Sequence, residues 1–166
     1  MRPDDSLDSF DLKILAHLQR EGRCTNVELS NLIGISESPC LLRTKRLQAM
    51  GIIRGYGAHI ALEKLGECIT VFSEVTLSSH RPEDFRTFEK GAANYKEIID
   101  CYNVSGGYDY LLKIVAPGIG HFRSLMDKLL EDEIGIDKFT SRIVLRQTID
   151  RREYPLGIIA GRRSRS

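Results

Sequence analysis

Apolar side chains in the first fifty residues recur at helical spacing. From Leu7 to Leu18 they fall at Leu7, Phe10, Ile14, Leu15 and Leu18, one amphipathic face. Asp8 stands at the N-cap, Asp11 adds negative charge at the positive end of the helix dipole, and Gly22 closes the segment. Thr25-Asn26-Val27-Glu28 has capping-box spacing and opens a short second helix, with Val27, Leu29, Leu32 and Ile33 as its apolar face and Gly34 as its stop. Ser36 offers a further N-cap, and Pro39 falls in a first turn that tolerates its missing N–H. The third helix runs from Glu37 to about Met50 and is closed by Gly51.

Two helices joined by a tight Gly-containing turn form the helix-turn-helix pattern. On the third helix Cys40, Thr44 and Leu47 face the core at i, i+4, i+7, while Ser38, Leu42, Lys45, Arg46 and Ala49 face outward. A basic outer face rich in small residues suits a DNA major groove; charge alone favours a solvated surface for Lys45 and Arg46, and the preceding capped helix, the tight turn and the following segment reverse that preference. The stretch Ile52 to Ile60 is short, apolar and Gly-punctuated, consistent with a small wing or a linker in which Arg54 and Tyr56 can touch phosphates.

Beyond it the period changes. Ile69 to Leu77 alternates as a strand; Pro82 to Ala93 is a helix with an acidic first turn and Phe85 and Phe88 on one side. Glu97 to Val104 and Tyr108 to Ala116 are strands joined at a Ser105-Gly106-Gly107 turn. His121 to Leu130 is an amphipathic helix with Phe122, Leu125, Met126, Leu129 and Leu130 inward, and Asp137 to Thr148 is a last strand. The order β-α-β-β-α-β predicts a ferredoxin-like antiparallel sheet with both helices on one face. Its other face, to which Tyr102, Tyr110, Leu112 and Ile143 are assigned, is too apolar for water, and a second copy of the chain is the simplest cover. The expected class is therefore α+β. An N-terminal winged helix-turn-helix (1–54) is joined by a hinge strand (55–68) to a C-terminal ferredoxin-like βαββαβ domain (69–149), with a basic tail (150–166).

Composition narrows the function. The 166 residues carry a net charge of only +1, so DNA affinity must come from local placement of basic side chains. No run of eighteen apolar residues occurs and the first residues are acidic and polar, so neither a signal peptide nor a membrane span is expected, and the expected location is cytoplasmic. Cys24, Cys40, Cys68 and Cys101 form no C-x-x-C pair; they read as small buried hydrophobes, with no metal or cofactor expected.

Several stretches together resemble the leucine-responsive / asparagine-regulator (Lrp/AsnC) family of transcription regulators. They are Leu7 to Leu15, Gly22-Arg23, Ile35 to Arg43, Arg46-Leu47, Gly51-Ile52-Ile53, Gly55-Tyr56 and Val104-Ser105-Gly106-Gly107-Tyr108-Asp109-Tyr110-Leu111-Leu112. The likeness spans roughly Leu7 to Gln147. It implies a nucleoid-associated DNA-binding protein of amino-acid metabolism, responsive to a small amino-acid effector, whose homodimers assemble further to octamers. Two positions depart from the family pattern. Thr44 replaces a branched aliphatic residue, and its hydroxyl can bond back to the Cys40 carbonyl; Leu42 is apolar on the outer face, where relatives often carry a polar residue, and can meet a thymine methyl.

The candidate DNA-binding residues are Ser36, Ser38, Pro39, Leu42, Arg43, Lys45 and Arg46. Ser36 serves first as a cap, and Arg43 either reaches a phosphate or pairs with an acid such as Asp11. The candidate effector residues are Asn103, Gly106, Gly107, Tyr108, Asp109, Thr140 and Ser141. The two glycines let a carboxylate approach backbone N–H groups, and Asp109 can hold an ammonium. Alternatively this is a plain hairpin turn whose Asp caps the backbone. The apolar segment Leu156 to Ala160 can dock on a neighbouring subunit, and the tail arginines 151, 152, 162, 163 and 165 can add salt-dependent DNA affinity. No catalytic residues are expected, since the four histidines show no motif spacing. One related group decarboxylates haem precursors through histidines of the regulatory half, which keeps His80 and His121 under test; a purely architectural DNA wrapper is the other rival.

Overall fold

The computed structural model describes residues 6–151 and 153–161. The chain forms two compact units: the residues up to His59 together with those from Ile149 on, and Ile60 to Thr148 between them. Of the tail arginines, 152, 162, 163 and 165 lie outside the described residues.

The first unit holds α1 (Ser9–Arg20), α2 (Asn26–Ile33) and α3 (Glu37–Ala49). Asp8 caps α1 through bonds from the Phe10 and Asp11 N–H groups, with Asp11 completing a capping box, and Thr25 and Glu28 form the same device at α2. Gly34 ends α2 at φ 79°, a left-handed conformation that favours glycine. The core is Ile14, Leu29, Ile33, Cys40 and Leu47. Val27 and Leu32, expected in it, are exposed: a two-turn helix buries only the Leu29 and Ile33 edge. As expected, the Thr44 hydroxyl donates to the Cys40 carbonyl (3.0 Å). No strand forms between Gly51 and Cys68; the segment expected to hold a hinge strand is irregular apart from a 3₁₀ turn at Leu62–Lys64.

The expected tail returns to this unit instead of hanging from the second. Gln19 and Tyr154 exchange two bonds, the Gln19 amide donating to the Tyr154 carbonyl (3.1 Å) and the Tyr154 N–H to Gln19 Oε1 (3.0 Å). Arg20 lies 3.9 Å from Glu153, and a short α6 (Leu156–Gly161) follows, with Ile158 and Ile159 exposed.

The second unit is the expected β-α-β-β-α-β: β1 (Ile69–Leu77), α4 (Pro82–Ala92), β2 (Ile98–Asn103), β3 (Tyr110–Ala116), α5 (Ile119–Glu131) and β4 (Ile136–Ile143). The sheet order is β2-β3-β1-β4, and β1 is antiparallel to both neighbours. Phe88 and Ala92 of α4 and Leu125, Met126 and Leu129 of α5 share one core with Val71, Val75, Leu77, Tyr110, Leu112 and Ile114. Both helices therefore cover one face.

The register reassigns the other face. Tyr110 and Leu112 pair with Val75 and Ser73 and are buried beneath the helices, and Ile143 opposite Val71 belongs to the same side. The open face carries Tyr102, Phe72, Leu111 and Val115, with the ion pairs Glu74–Arg142 (2.5 Å) and Asp100–Lys113 (4.0 Å) among them. Leu130 is exposed at the end of α5, and β4 stops at Ile143, so Val144 to Thr148 runs on outside the sheet after one bond from Val144 N–H to the Thr70 carbonyl. The cysteines are not uniformly buried: Cys40 is, Cys24 half so, while Cys68 in the irregular segment and Cys101 on the edge strand are exposed. Gly91 has a packing role, since a Cβ there would stand 2.4 Å from Ile134 Cγ2.

Candidate functional site

The exposed stripe of α3 is Ser38, Leu42, Lys45 and Ala49, spaced at i, i+4, i+7, i+11, with Pro39 beside it in the first turn. Leu42 is 65% exposed, more than a core role allows. Ser36 has the N-cap backbone conformation (φ −72°, ψ 159°), but its hydroxyl makes no capping bond, contrary to expectation. The first-turn N–H groups of α3 are left without that partner, an arrangement suited to a phosphate oxygen.

Arg46 does not project outward as expected. Its Nη2 donates to Asp11 Oδ2 (2.5 Å), while Arg43 Nη1 donates to Asp8 Oδ2 (2.6 Å) and Asp11 Oδ1 (2.9 Å). Spaced three apart, the two arginines lie side by side on the flank of α3 that meets α1, and Asp11 there is fully buried. Arg43 also sits 5.5 Å from the centre of the Phe10 ring. Of the alternatives open for Arg43, pairing with an α1 acid is the one adopted. The sequence marked these residues individually; that one buried carboxylate joins them was visible only as a possibility for Arg43.

Asp8 carries the pH dependence of this cluster. Burial pushes its carboxyl up, but the Asp11 N–H, the Arg43 guanidinium and the Phe10 N–H outweigh it and hold the carboxyl below its usual value. A carboxyl depressed on folding stabilises the folded state above its unfolded value and loses that contribution as pH falls through the folded one. The first unit is therefore expected to melt earlier as pH drops below about 4. Asp8→Asn is expected to flatten that acid limb of the melting temperature; an unchanged pH profile contradicts the assignment.

In the second unit the hairpin from β2 to β3 closes through a bond from Val104 N–H to the Asp109 carbonyl (3.0 Å), with Ser105 to Tyr108 as the turn. Gly106 has φ 138°, a conformation few side chains adopt, and a Cβ at Gly106 or Gly107 would meet no atom within 4 Å. Backbone approach to the turn is unobstructed. Asn103 braces it, its amide donating to the Asp109 carbonyl (3.1 Å). The Asp109 carboxylate is already engaged: Oδ2 accepts from Leu77 N–H (2.8 Å) and Oδ1 lies 3.0 Å from His80 Nε2. It fixes the turn to the end of β1, the capping alternative.

Thr140 and Ser141 are adjacent on β4 and so face opposite sides of the sheet. Thr140 lies on the open face opposite Glu74, while Ser141 is under the helices, its hydroxyl 2.8 Å from that of Ser73. Neither joins the β2–β3 turn, since β1 lies between that hairpin and β4. A cavity of about 250 Å³ lies beside the turn, between α4 and the β2 edge, lined by Glu89, Ala93, Ile98, Cys101, Asn103 and Tyr110 among others. Tyr110 donates to Glu89 Oε1 (2.8 Å), and burial followed by this carboxylate pushes its phenol well above the usual range. The sequence reading chose Asn103 but missed Glu89, whose value appears only when α4 is laid over β2.

His80 follows the C-terminal end of β1 and His121 follows the C-terminal end of β3, so the antiparallel pairing puts them at opposite ends of the sheet. Each faces a different carboxylate, Asp109 for His80 and Glu97 for His121 (2.7 Å).

Comparison with known proteins agrees with both halves of this description. Residues 7–54 match the winged helix-turn-helix DNA-binding family and residues 70–154 the Lrp/AsnC ligand binding domain. The leucine-responsive regulatory proteins of Klebsiella pneumoniae and Escherichia coli K12 are each 38% identical over 146 residues, 88% of this chain and 89% of theirs. A transcriptional regulator of Neisseria meningitidis, solved as a complex with L-Met, superposes with a TM-score of 0.86 at 31% identity, covering 93% of this chain and 99% of its own. An AsnC family transcriptional regulator from Agrobacterium tumefaciens gives 0.86 at 28% identity, covering 92% and 99%. With a winged helix-turn-helix match at residues 7–54, an Lrp/AsnC ligand-binding match at residues 70–154 and leucine-responsive relatives at 38% identity, this chain belongs to the Lrp/AsnC family of transcriptional regulators.

Proposed function

We propose that the protein reads operator DNA with α3 and adjusts that binding to a small amino acid held by the second unit. The observation that carries this reading is the outward stripe Ser38, Leu42 and Lys45 on a helix that packs in the core through Cys40 and Leu47 and pairs with α1 through Arg43 and Arg46. In the groove, Leu42 meets a thymine methyl and Ser38 a base edge, while Lys45, Ser36 and the start of α3 meet phosphates. The chain acts as a dimer through the open sheet face, where Phe72, Leu111, Val115 and Tyr102 await cover, and dimers assemble further to octamers. Two reading helices then meet two half-sites about one helical turn apart. It works in the cytoplasm on the nucleoid; among the described residues no helix is long and apolar enough to cross a membrane.

The effector site in this proposal is the Ser105–Tyr108 turn and the cavity beside it. Backbone N–H groups of Gly106 and Gly107 receive the carboxylate, Tyr108 and Asn103 line the approach, and Asp109 holds the turn in shape. Amino-acid binding shifts the population between two assemblies that differ in DNA affinity. His80 and His121 each face a carboxylate of the fold, and no catalytic step is assigned to them. A thermal-shift screen against the twenty amino acids tests the sensor half. A ligand bound at a hundred times its Kd is expected to add about 2.7 kcal/mol to the stability of the second unit. A flat response to all twenty contradicts the amino-acid reading and favours the architectural one.

A further inference from the structure

α3 carries three basic residues, and the fold treats them unequally. Lys45 is exposed on the reading stripe, whereas Arg43 and Arg46 are drawn onto the α1 flank by the fully buried Asp11. Both Asp11 oxygens are used, one by each arginine, and Oδ2 also accepts the Asp8 N–H (3.1 Å). Asp8 adds a second carboxylate to Arg43, so the four side chains sum to zero charge. Nη1 of Arg43 and Nη2 of Arg46 are thereby engaged inside the unit, and both side chains are turned toward α1 and only partly exposed. A guanidinium on a recognition helix would otherwise bind guanine bidentately or any phosphate indiscriminately.

We propose that Asp11 is a positioning residue for DNA recognition, holding Arg43 and Arg46 off the nucleic acid so that α3 reads bases through Ser38 and Leu42, with Lys45 on a phosphate. This rests on the reading of α3 as the recognition helix. The device trades sequence-independent affinity for discrimination: it lowers the number of phosphates neutralised on any duplex and leaves the contacts that distinguish bases. Asp11 also sets the angle of α3 on α1, because the pairing ties the middle of one helix to the first turn of the other.

The test is the salt dependence of binding by the full-length protein. Two duplexes are used, one selected by the protein from a random pool and one scrambled. Asp11→Asn keeps an acceptor for the Asp8 N–H but loses the charge that holds the arginines. It is expected to bind the scrambled duplex more tightly, to steepen the slope of log Kd against log salt by about 0.9 for each arginine that reaches a phosphate, and to narrow the ratio between the two duplexes. Asp11→Glu, which restores the charge, is expected to recover part of that ratio. Arg46→Gln supplies an answer even if Asp11→Asn folds poorly. An arginine held off the DNA leaves the wild-type slope unchanged when replaced, whereas one that contacts phosphate lowers it by about 0.9. A lowered slope in Arg46→Gln, or a folded Asp11→Asn with wild-type slope and ratio, overturns the proposal while DNA binding itself stands. A wild-type protein that binds neither duplex overturns the recognition reading and this inference with it.

Discussion

Replacing Leu47 with alanine is expected to abolish DNA binding while the second unit stays folded. Leu47 is fully buried at the junction of the three N-terminal helices, where Ile14, Leu29, Ile33 and Cys40 make up the rest of the buried apolar core among the described residues. A Leu→Ala change in a core costs about 2–5 kcal/mol, and folded domains hold only about 5–15 in total. A unit this small stands near the lower end of that range. The backbone bonds from Ile52 and Ile53 N–H to the Leu47 carbonyl end α3 on this same residue, so loosening it frees the chain beyond as well. Calorimetry of wild type and variant checks the prediction: the transition of the first unit moves down or vanishes and that of the second remains. A variant that keeps wild-type affinity contradicts the assignment of α3 as the reading element.

The converse change is Phe88→Ala, expected to cost about 3–5 kcal/mol in the second unit. The ring is fully buried and lies 4.5 Å from that of Tyr110, centre to centre. Its loss leaves a void under α4 and unseats the Tyr110–Glu89 bond that walls the cavity beside the β2–β3 turn. Amino-acid stabilisation is expected to disappear first. Operator affinity is expected to fall with it although α3 is untouched, because a lone reading head binds without the gain from its partner. Amino-acid response measured by thermal shift, together with sedimentation of the variant, decides the matter. A variant that still responds and still assembles contradicts the role given to this unit.

The two variants act at a distance from the contacts they abolish, which reflects how the chain encodes its elements. The periodicities of the sequence placed the helices within a few residues, because caps such as Asp8 and Thr25 and stops such as Gly34 and Gly51 are local signals, but they missed that the hinge segment forms no strand and that β4 stops at Ile143. What the periodicity did not supply was side and partner. Tyr110 and Leu112 alternate as any strand does, and only the register with β1 decides that they lie beneath Phe88 rather than on the open face. Arg46 has the spacing of an outward residue until the buried Asp11 is brought beside it from thirty-five positions away. Thr140 and Ser141 both read as effector residues in the sequence, although neighbours on a strand face opposite sides of the sheet. The return of Tyr154 to Gln19 has no local signal at all.

The most direct test of the central claim is operator affinity with and without each of the twenty amino acids. Fluorescence anisotropy on a duplex selected by the protein itself is the suitable readout. Coupling between the two units predicts that at least one amino acid shifts Kd by about 5-fold or more, corresponding to about 1 kcal/mol of coupling. Tight binding to the duplex that no amino acid alters would contradict it.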